Sequence, residues 1–135
     1  MSYLLDTNVI SEFSKRRPNQ SITDFVASLP TEGTWLSVMS LGEIRRGVEI
    51  ELARNPDSGK SIERWLEVTE EQFSARLLPI TAEIAHRWGT ISADRTRPII
   101  DTLLAATALV HDLTVVTRNE RDFSDLGVAV LNPWR

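Results

Sequence analysis

Four acidic residues in this 135-residue chain fall at the openings of four different helical segments. Asp6 directly follows the apolar run Tyr3-Leu4-Leu5. Glu43 lies early in the pattern that follows Thr34-Trp35-Leu36-Ser37. Asp101 stands at the start of Ile100–Val110, and Asp122 lies just beyond the run ending at Thr117, three residues after Asn119. Each one alone fits a helix cap. Acidic side chains favour helix N-termini by about 0.3–1 kcal/mol, Ser40-Leu41-Gly42-Glu43 matches a capping box, and Asn119 with Asp122 resembles a capped turn. Capping, however, would place such residues anywhere on a fold, whereas these four belong to elements expected to open on one edge of a sheet. Carboxylates within a few ångströms repel, so protons or a cation must neutralise them. A hard divalent ion suits oxygen donors. Mg²⁺ or Mn²⁺ fits better than Ca²⁺, because the chain has no DxDxDG-like loop. Such an ion lowers the pKa of water and stabilises charge on a phosphoryl oxygen, the chemistry of metal-dependent nucleases and phosphatases.

The elements that must position these groups follow from hydrophobic spacing. Tyr3–Leu5, Thr34–Ser37, Leu77–Ile80, Leu113–Thr117 and Val128–Leu131 read as strands, with Pro79 suiting the third to an edge. Helical spacing runs over Val9–Arg16, capped by Asn8 or Thr7, over Ser21–Leu29 and over Val38–Arg54. It continues through Ile62, Trp65, Leu66 and Phe73, and then from a Thr81 cap through Ile84, Ala85, Trp88 and Ile91. Ile100–Val110 is apolar on most sides, so it is expected to be central. Asn55–Gly59 and Arg95–Pro98 read as loops, and Glu120–Phe123 as a helical turn. Strands alternating with helices predict an α/β fold, a three-layer α/β/α arrangement around a mainly parallel sheet of four or five strands. Ligands in such sheets bind beyond the carboxyl ends of the strands, where strand order reverses.

Bulk properties narrow the classes. One domain over residues 1–135 is expected from the length. The absence of Cys removes disulfide frameworks, thiolate metal sites and cysteine nucleophiles. No apolar run approaches the ~20 residues of a membrane span, and no signal peptide is evident, so a cytoplasmic location is expected. The net charge of −4 argues against a nucleic-acid binder unless the acids gather at one place. Lys15 and Lys60 are the only lysines, so the cationic surface is nearly all arginine. His86 and His111 read as structural. Trp35, Trp65 and Trp88 read as core, and Trp134 as the tryptophan best placed for an exposed contact.

The blocks Leu5-Asp6-Thr7-Asn8-Val9-Ile10-Ser11-Glu12, Ser40-Leu41-Gly42-Glu43-Ile44-Arg45-Arg46-Gly47, Asp101-Thr102-Leu103-Leu104-Ala105-Ala106-Thr107-Ala108 and Thr117-Arg118-Asn119 with Asp122-Phe123 together resemble a PIN domain, in order and over essentially the whole chain. The terminal Val130-Leu131-Asn132-Pro133-Trp134 is similar to the VapC and FitB-like toxin branch. That resemblance implies a Mg²⁺-dependent endoribonuclease, the toxin of a type II toxin–antitoxin pair. Asp6 and Asp101 look like the principal metal ligands, and Glu43 like the third acid, orienting the metal or its water. The fourth acid of related sequences falls at the place of Asn119 or of Asp122. With an amide at the first, Asp122 is expected to carry the charge and Asn119 to hydrogen-bond. Thr7, Asn8 and Thr117 would hold the carboxylates. Arg45, Arg46, Arg118 and Arg121 flank the acids and are candidate RNA-backbone contacts. Arg45 and Arg46 are equally candidates for pairing with an antitoxin or with Glu49. The resemblance further implies in-line attack of an activated water leaving a 5′-phosphate, a structured RNA such as tRNA as substrate, and a homodimer. It also implies an antitoxin that covers the site and itself binds DNA.

Two rivals remain at this point. A HAD-like phosphatase also places an Asp after its first strand, but it wants a second Asp two residues on, where this chain has Asn8. A catalytically silent PIN-like module would bind RNA or protein without turnover.

Overall fold

The computed structural model describes residues 1–135. Five short strands, β1 (Tyr3–Leu5), β2 (Thr34–Ser37), β3 (Leu77–Leu78), β4 (Thr114–Val116) and β5 (Val130–Leu131), form one sheet in the order β3-β2-β1-β4-β5. Every pairing is parallel. Tyr3 stands opposite both Thr34 and Thr114, and Leu4 opposite Trp35 and Val115. The six helices are α1 (Thr7–Ile10), α2 (Gln20–Ser28), α3 (Val38–Arg54), α4 (Pro56–Gln72), α5 (Ala82–Ile91) and α6 (Ile99–His111). No helix is long and apolar enough to cross a membrane.

Strand side chains alternate between two cores. Leu4 and Val115 face one core with Leu104, Ala105 and Ala108 of α6 and with Phe123. Leu5, Leu36 and Val116 face the other with α1, α3 and α4, through Val9, Ile44, Val48 and Leu66. The expected three layers follow directly, because both faces of a parallel sheet must be covered. As its composition suggests, α6 is a core helix, with Leu104, Ala105 and Ala106 at zero exposure. The chain adds β2 and β3 on one side of β1, then returns to place β4 on the other. Strand order therefore reverses between β1 and β4, and a crevice opens at their carboxyl ends.

Three local readings are corrected. The first helix is α1 alone, followed by a 3₁₀ turn over Ser11–Ser14, and its cap is Asp6 rather than Thr7 or Asn8. Within that turn the Ser14 hydroxyl donates to the Ser11 carbonyl at 2.7 Å, a local bond that competes with a longer helix. The third strand stops at Leu78, directly before Pro79, and lies at the edge as expected.

The third correction concerns Asn55–Gly59, which is not a loop but the start of α4. Asn55 caps the helix by accepting the Ser58 N–H, and Pro56 occupies the first turn, where its missing N–H costs nothing. Gly59 is needed for close packing, since a Cβ there would lie 2.6 Å from both the Cα and the N of Leu52 in α3. Gly59→Ala is therefore expected to cost about 1–3 kcal/mol in urea denaturation, by overpacking. Gly89→Ala, on exposed helix with nothing near the added Cβ, is expected to gain up to about 1 kcal/mol.

Candidate active site

The crevice between β1 and β4 gathers all four acids. Asp6 is only 3% exposed. Its backbone is fixed by donating to the Val116 carbonyl at 2.9 Å, which prolongs the β1–β4 ladder. One carboxylate oxygen accepts the Thr7 N–H at 2.7 Å. The other accepts the Thr117 hydroxyl at 2.7 Å and the Asn8 amide at 3.4 Å. Thr117, fully buried at the end of β4, in turn accepts the Asn119 N–H at 3.0 Å. The Arg118 N–H donates to the Asn8 side chain at 3.4 Å, so the β4 exit and the start of α1 are tied through side chains.

Only Asp6 acts as a cap. The cap of α3 is Ser37, which accepts the Met39 N–H at 3.0 Å, so Glu43 lies in the second turn and is not part of a capping box. Glu43 instead accepts the Thr7 hydroxyl at 2.5 Å. Asp101 lies in the first turn of α6 but makes no side-chain cap bond, and Asp122 ends a short 3₁₀ turn over Glu120–Asp122.

The four carboxyls are close enough to act on one another's titration. Burial pushes the Asp101 carboxyl up to about 7, reinforced by the charge of Asp6, by a hydrogen bond with Asp122, and by the charges of Asp122 and Glu43. Burial also raises Asp6. The hydrogen bonds from Thr117 and Thr7 oppose that rise, and the charges of Glu43 and Asp122 add to it. The donor set is all oxygen and carries more negative charge than it can hold ionised, which fits a hard divalent cation. No three of these side chains close into a ready-made cage.

A pH dependence follows. Folded Asp101 holds its proton more tightly than the unfolded chain, so between about pH 4 and 7 the folded state binds more protons. Stability of the protein in EDTA is therefore expected to fall as pH rises through that window and to stay low above it. For a half-buried carboxyl partly screened by water, the loss is about 1–2 kcal/mol. Melting temperatures between pH 5 and 8 check this, and Asp101→Asn should flatten the profile.

The structure brings Asp6, Thr7, Asn8, Glu43, Asp101, Thr117, Asn119 and Asp122 together. Asn119 joins through its backbone, and Asp122 stands against Asp101. The arginines divide. Arg45 pairs with Glu63 at 2.8 Å and with Glu49 at 3.4 Å, across the α3–α4 hairpin. Arg46 and Arg121 are exposed and make no ion pair. The Arg118 guanidinium stacks 5.2 Å above the Trp134 ring. Trp134 is half-buried against the α3–α4 core, so it is not the freely exposed contact the sequence suggested. Trp35 and Trp65 pack beside the two cores, and Trp88 donates to the Thr102 hydroxyl at 3.3 Å. His86 and His111 are both exposed, on α5 and at the end of α6.

Sequence reasoning passed over Glu12. It is 3% exposed, accepts the Asn19 N–H at 2.8 Å and pairs with Lys15 at 2.8 Å. The Lys15 hydrogen bond leads the causes that hold it below the usual carboxylate range. Its only signal was an acid set among the apolar residues Val9, Ile10 and Phe13.

A parallel sheet with carboxylates collected at its order reversal, in this sequence order, defines the PIN domain family, and the chain belongs to it: the family model "PIN domain" matches residues 3–129. Among curated relatives, Toxin FitB of Neisseria gonorrhoeae is 35% identical, covering 97% of both chains. VapC ribonuclease Y4jK of Sinorhizobium fredii is 29% identical, covering 97% of this chain and 96% of its own. The crystal structure of FitAcB from Neisseria gonorrhoeae superimposes with a TM-score of 0.88 at 34% identity, covering 98% of this chain and 99% of that one.

Proposed function

We propose that this chain is a divalent-metal-dependent endoribonuclease and the toxin half of a toxin–antitoxin pair. The observation that carries the reading is the convergence of Asp6, Glu43, Asp101 and Asp122, where burial first and then the neighbouring carboxylates push Asp101 up to about 7. The names of its relatives, a toxin and a ribonuclease, support it.

Mg²⁺, or Mn²⁺ in its place, would be held by Asp6 and Asp101, with Glu43 and Asp122 beside them and water completing the shell. Once bound, it would neutralise charge on a phosphoryl group and acidify a water. The remaining work falls to the chain itself. Thr117 and the Thr7 N–H fix both oxygens of Asp6, and the Thr7 hydroxyl aims Glu43. Positioning of this kind supplies most of what phosphodiester hydrolysis requires. The proposed products are a 5′-phosphate and a free 3′-hydroxyl. A structured RNA such as tRNA is the substrate class and the cytoplasm the location. A homodimer bound by an antitoxin completes the partner set, with DNA contact left to the antitoxin, as suits a chain of net charge −4.

The HAD-like reading loses ground on Asp6 itself. Both its oxygens are engaged by hydrogen bonds, and Asn8 stands where a second acid would be needed. The deciding experiment incubates total cellular RNA with the protein in Mg²⁺ and in EDTA, and with Asp6→Asn in Mg²⁺. Cleavage in the first arm alone is expected. Binding without cleavage in all arms would favour the silent module. Hydrolysis of p-nitrophenyl phosphate without RNA cleavage would favour the phosphatase.

A further inference from the structure

Beside Asp122 the surface folds into a recess of about 260 Å³, lined by Arg95, Thr96, Arg97, Pro98, Arg121 and Asp122. We propose that this recess is a phosphate subsite, which holds the RNA phosphodiester adjacent to the one that is cut. The inference rests on the ribonuclease reading and deepens it: it gives Arg121 a defined phosphate, next to the one that is cut, in a recess framed by Arg95, Arg97 and their aspartate partners.

The recess is built rather than incidental. Arg97 has a side chain only 6% exposed. Its Nε and Nη2 donate to Asp94 at 3.2 and 2.8 Å, and its Nη1 and Nη2 to Asp125 at 2.9 and 3.1 Å. Arg95 donates to the same Asp125 at 2.7 Å. These contacts tie the loop before α6 to the segment after Asp122, joining the two sides of the recess. Within the network two arginines balance two aspartates. Arg121 is left over: it is exposed and makes no ion pair, although it lines the recess.

The only other charge on the wall is Asp122, which hydrogen-bonds to Asp101 and belongs to the acidic cluster. The turn that forms one wall therefore carries an unspent guanidinium at Arg121 and, at the next residue, a carboxylate of the acidic cluster. A phosphate accepts from a guanidinium in a planar, charge-assisted way that few other anions match. A strand whose one phosphate lies at the carboxylates can place the next at Arg121. This also answers the objection that an acidic chain should not bind RNA, since the cation is local rather than global.

The test measures binding, so it reads separately from cleavage. Asp101→Asn protein, which should not cut, is titrated with a fluorescein-labelled single-stranded RNA across a range of salt concentrations, followed by anisotropy. Adding Arg121→Gln should weaken binding about 5–10-fold and reduce the slope of log affinity against log salt by about 0.7. Arg64→Gln on α4, in the opposite layer, makes the same charge change and should alter neither. Equal loss in both variants, or unchanged affinity and slope for Arg121→Gln, overturns the subsite, as does absence of RNA binding by the Asp101→Asn protein. Failure of the unaltered chain to cut RNA overturns the ribonuclease reading instead. Because Arg121 has no ion pair to lose, its substitution should leave the melting temperature unchanged.

Discussion

Asp101→Asn is expected to reduce RNA cleavage by at least about 10²–10³-fold and, at the same time, to raise the melting temperature of the protein in EDTA at pH 8. The two effects have one cause. Asp101 is a half-buried carboxyl facing Asp6, Asp122 and Glu43, and the folded state holds it against its preference for a proton. Its ionised form is therefore a cost to folding and an asset to a cation. An amide keeps the shape and a hydrogen-bonding oxygen but removes the charge, which relieves the repulsion and leaves a weaker ligand. Loss of one pre-arranged group at a developing charge typically costs 10²–10³ in rate. The stability gain is about 1–2 kcal/mol at pH 8, and it should be smaller at pH 5 and vanish only below about pH 4, where Asp101 is protonated in folded and unfolded chains alike. Cleavage kinetics in Mg²⁺ and thermal melts in EDTA at the two pH values read both halves. A stabilised but fully active Asp101→Asn protein would remove Asp101 from the site.

Phe123→Ala is expected to cost about 3–5 kcal/mol, the largest stability loss from a single residue near the site. Phe123 is the bulkiest fully buried side chain in the molecule, packed among Leu4, Leu104, Ala108 and Val115. It immediately follows Asp122, so the same ring that fills the core anchors the 3₁₀ turn carrying the fourth acid. A domain of this kind has only about 5–15 kcal/mol in total, so the variant should be marginal at physiological temperature. Urea denaturation should show a lower midpoint with an unchanged slope. Phe123→Leu, which leaves a smaller cavity, should recover most of the stability and most of the cleavage. Recovery of stability without cleavage would mean that the turn is not held by this contact.

The acids were legible in the sequence because each one interrupts or follows an apolar run, and strand ends are easy to see when both faces of a sheet are buried. What joins them was not legible. Strand order is a property of crossovers, and no local signal states that β4 returns beside β1. Proximity in space came instead from the resemblance of the motif blocks. Local pattern read Thr7 as a cap, and the resemblance gave it the role it has, holding a carboxylate: its hydroxyl donates to Glu43, 36 positions away. Asn55–Gly59 misled because Pro and Gly punctuate loops and tight helix hairpins alike, and only the 2.6 Å approach to Leu52 separates the two. Glu12 was hidden because burial of an acid depends on partners, Lys15 and the Asn19 amide, that periodicity does not register. The arginines were legible only in part. Of the two readings of Arg45, the pairing with Glu49 is the one present, joined by a shorter pair with Glu63 that no sequence spacing indicates. Arg95 and Arg97 lie in a loop as read, but that they frame a recess beside Asp122 through pairs with Asp94 and Asp125 had no local signal.

The proposed function requires that Asp6, Glu43, Asp101 and Asp122, from distant parts of the chain, bind one divalent cation together. The most direct measurement is the melting temperature at pH 8 as Mg²⁺ is titrated into EDTA-stripped protein, for the unaltered chain and for Asp6→Asn. Binding to the folded state alone should stabilise the unaltered chain progressively, by about 2.7 kcal/mol at a hundredfold excess over Kd, and should do so far less in the variant. A melting temperature indifferent to Mg²⁺ in the unaltered chain, or a rise of equal size in Asp6→Asn, would contradict it.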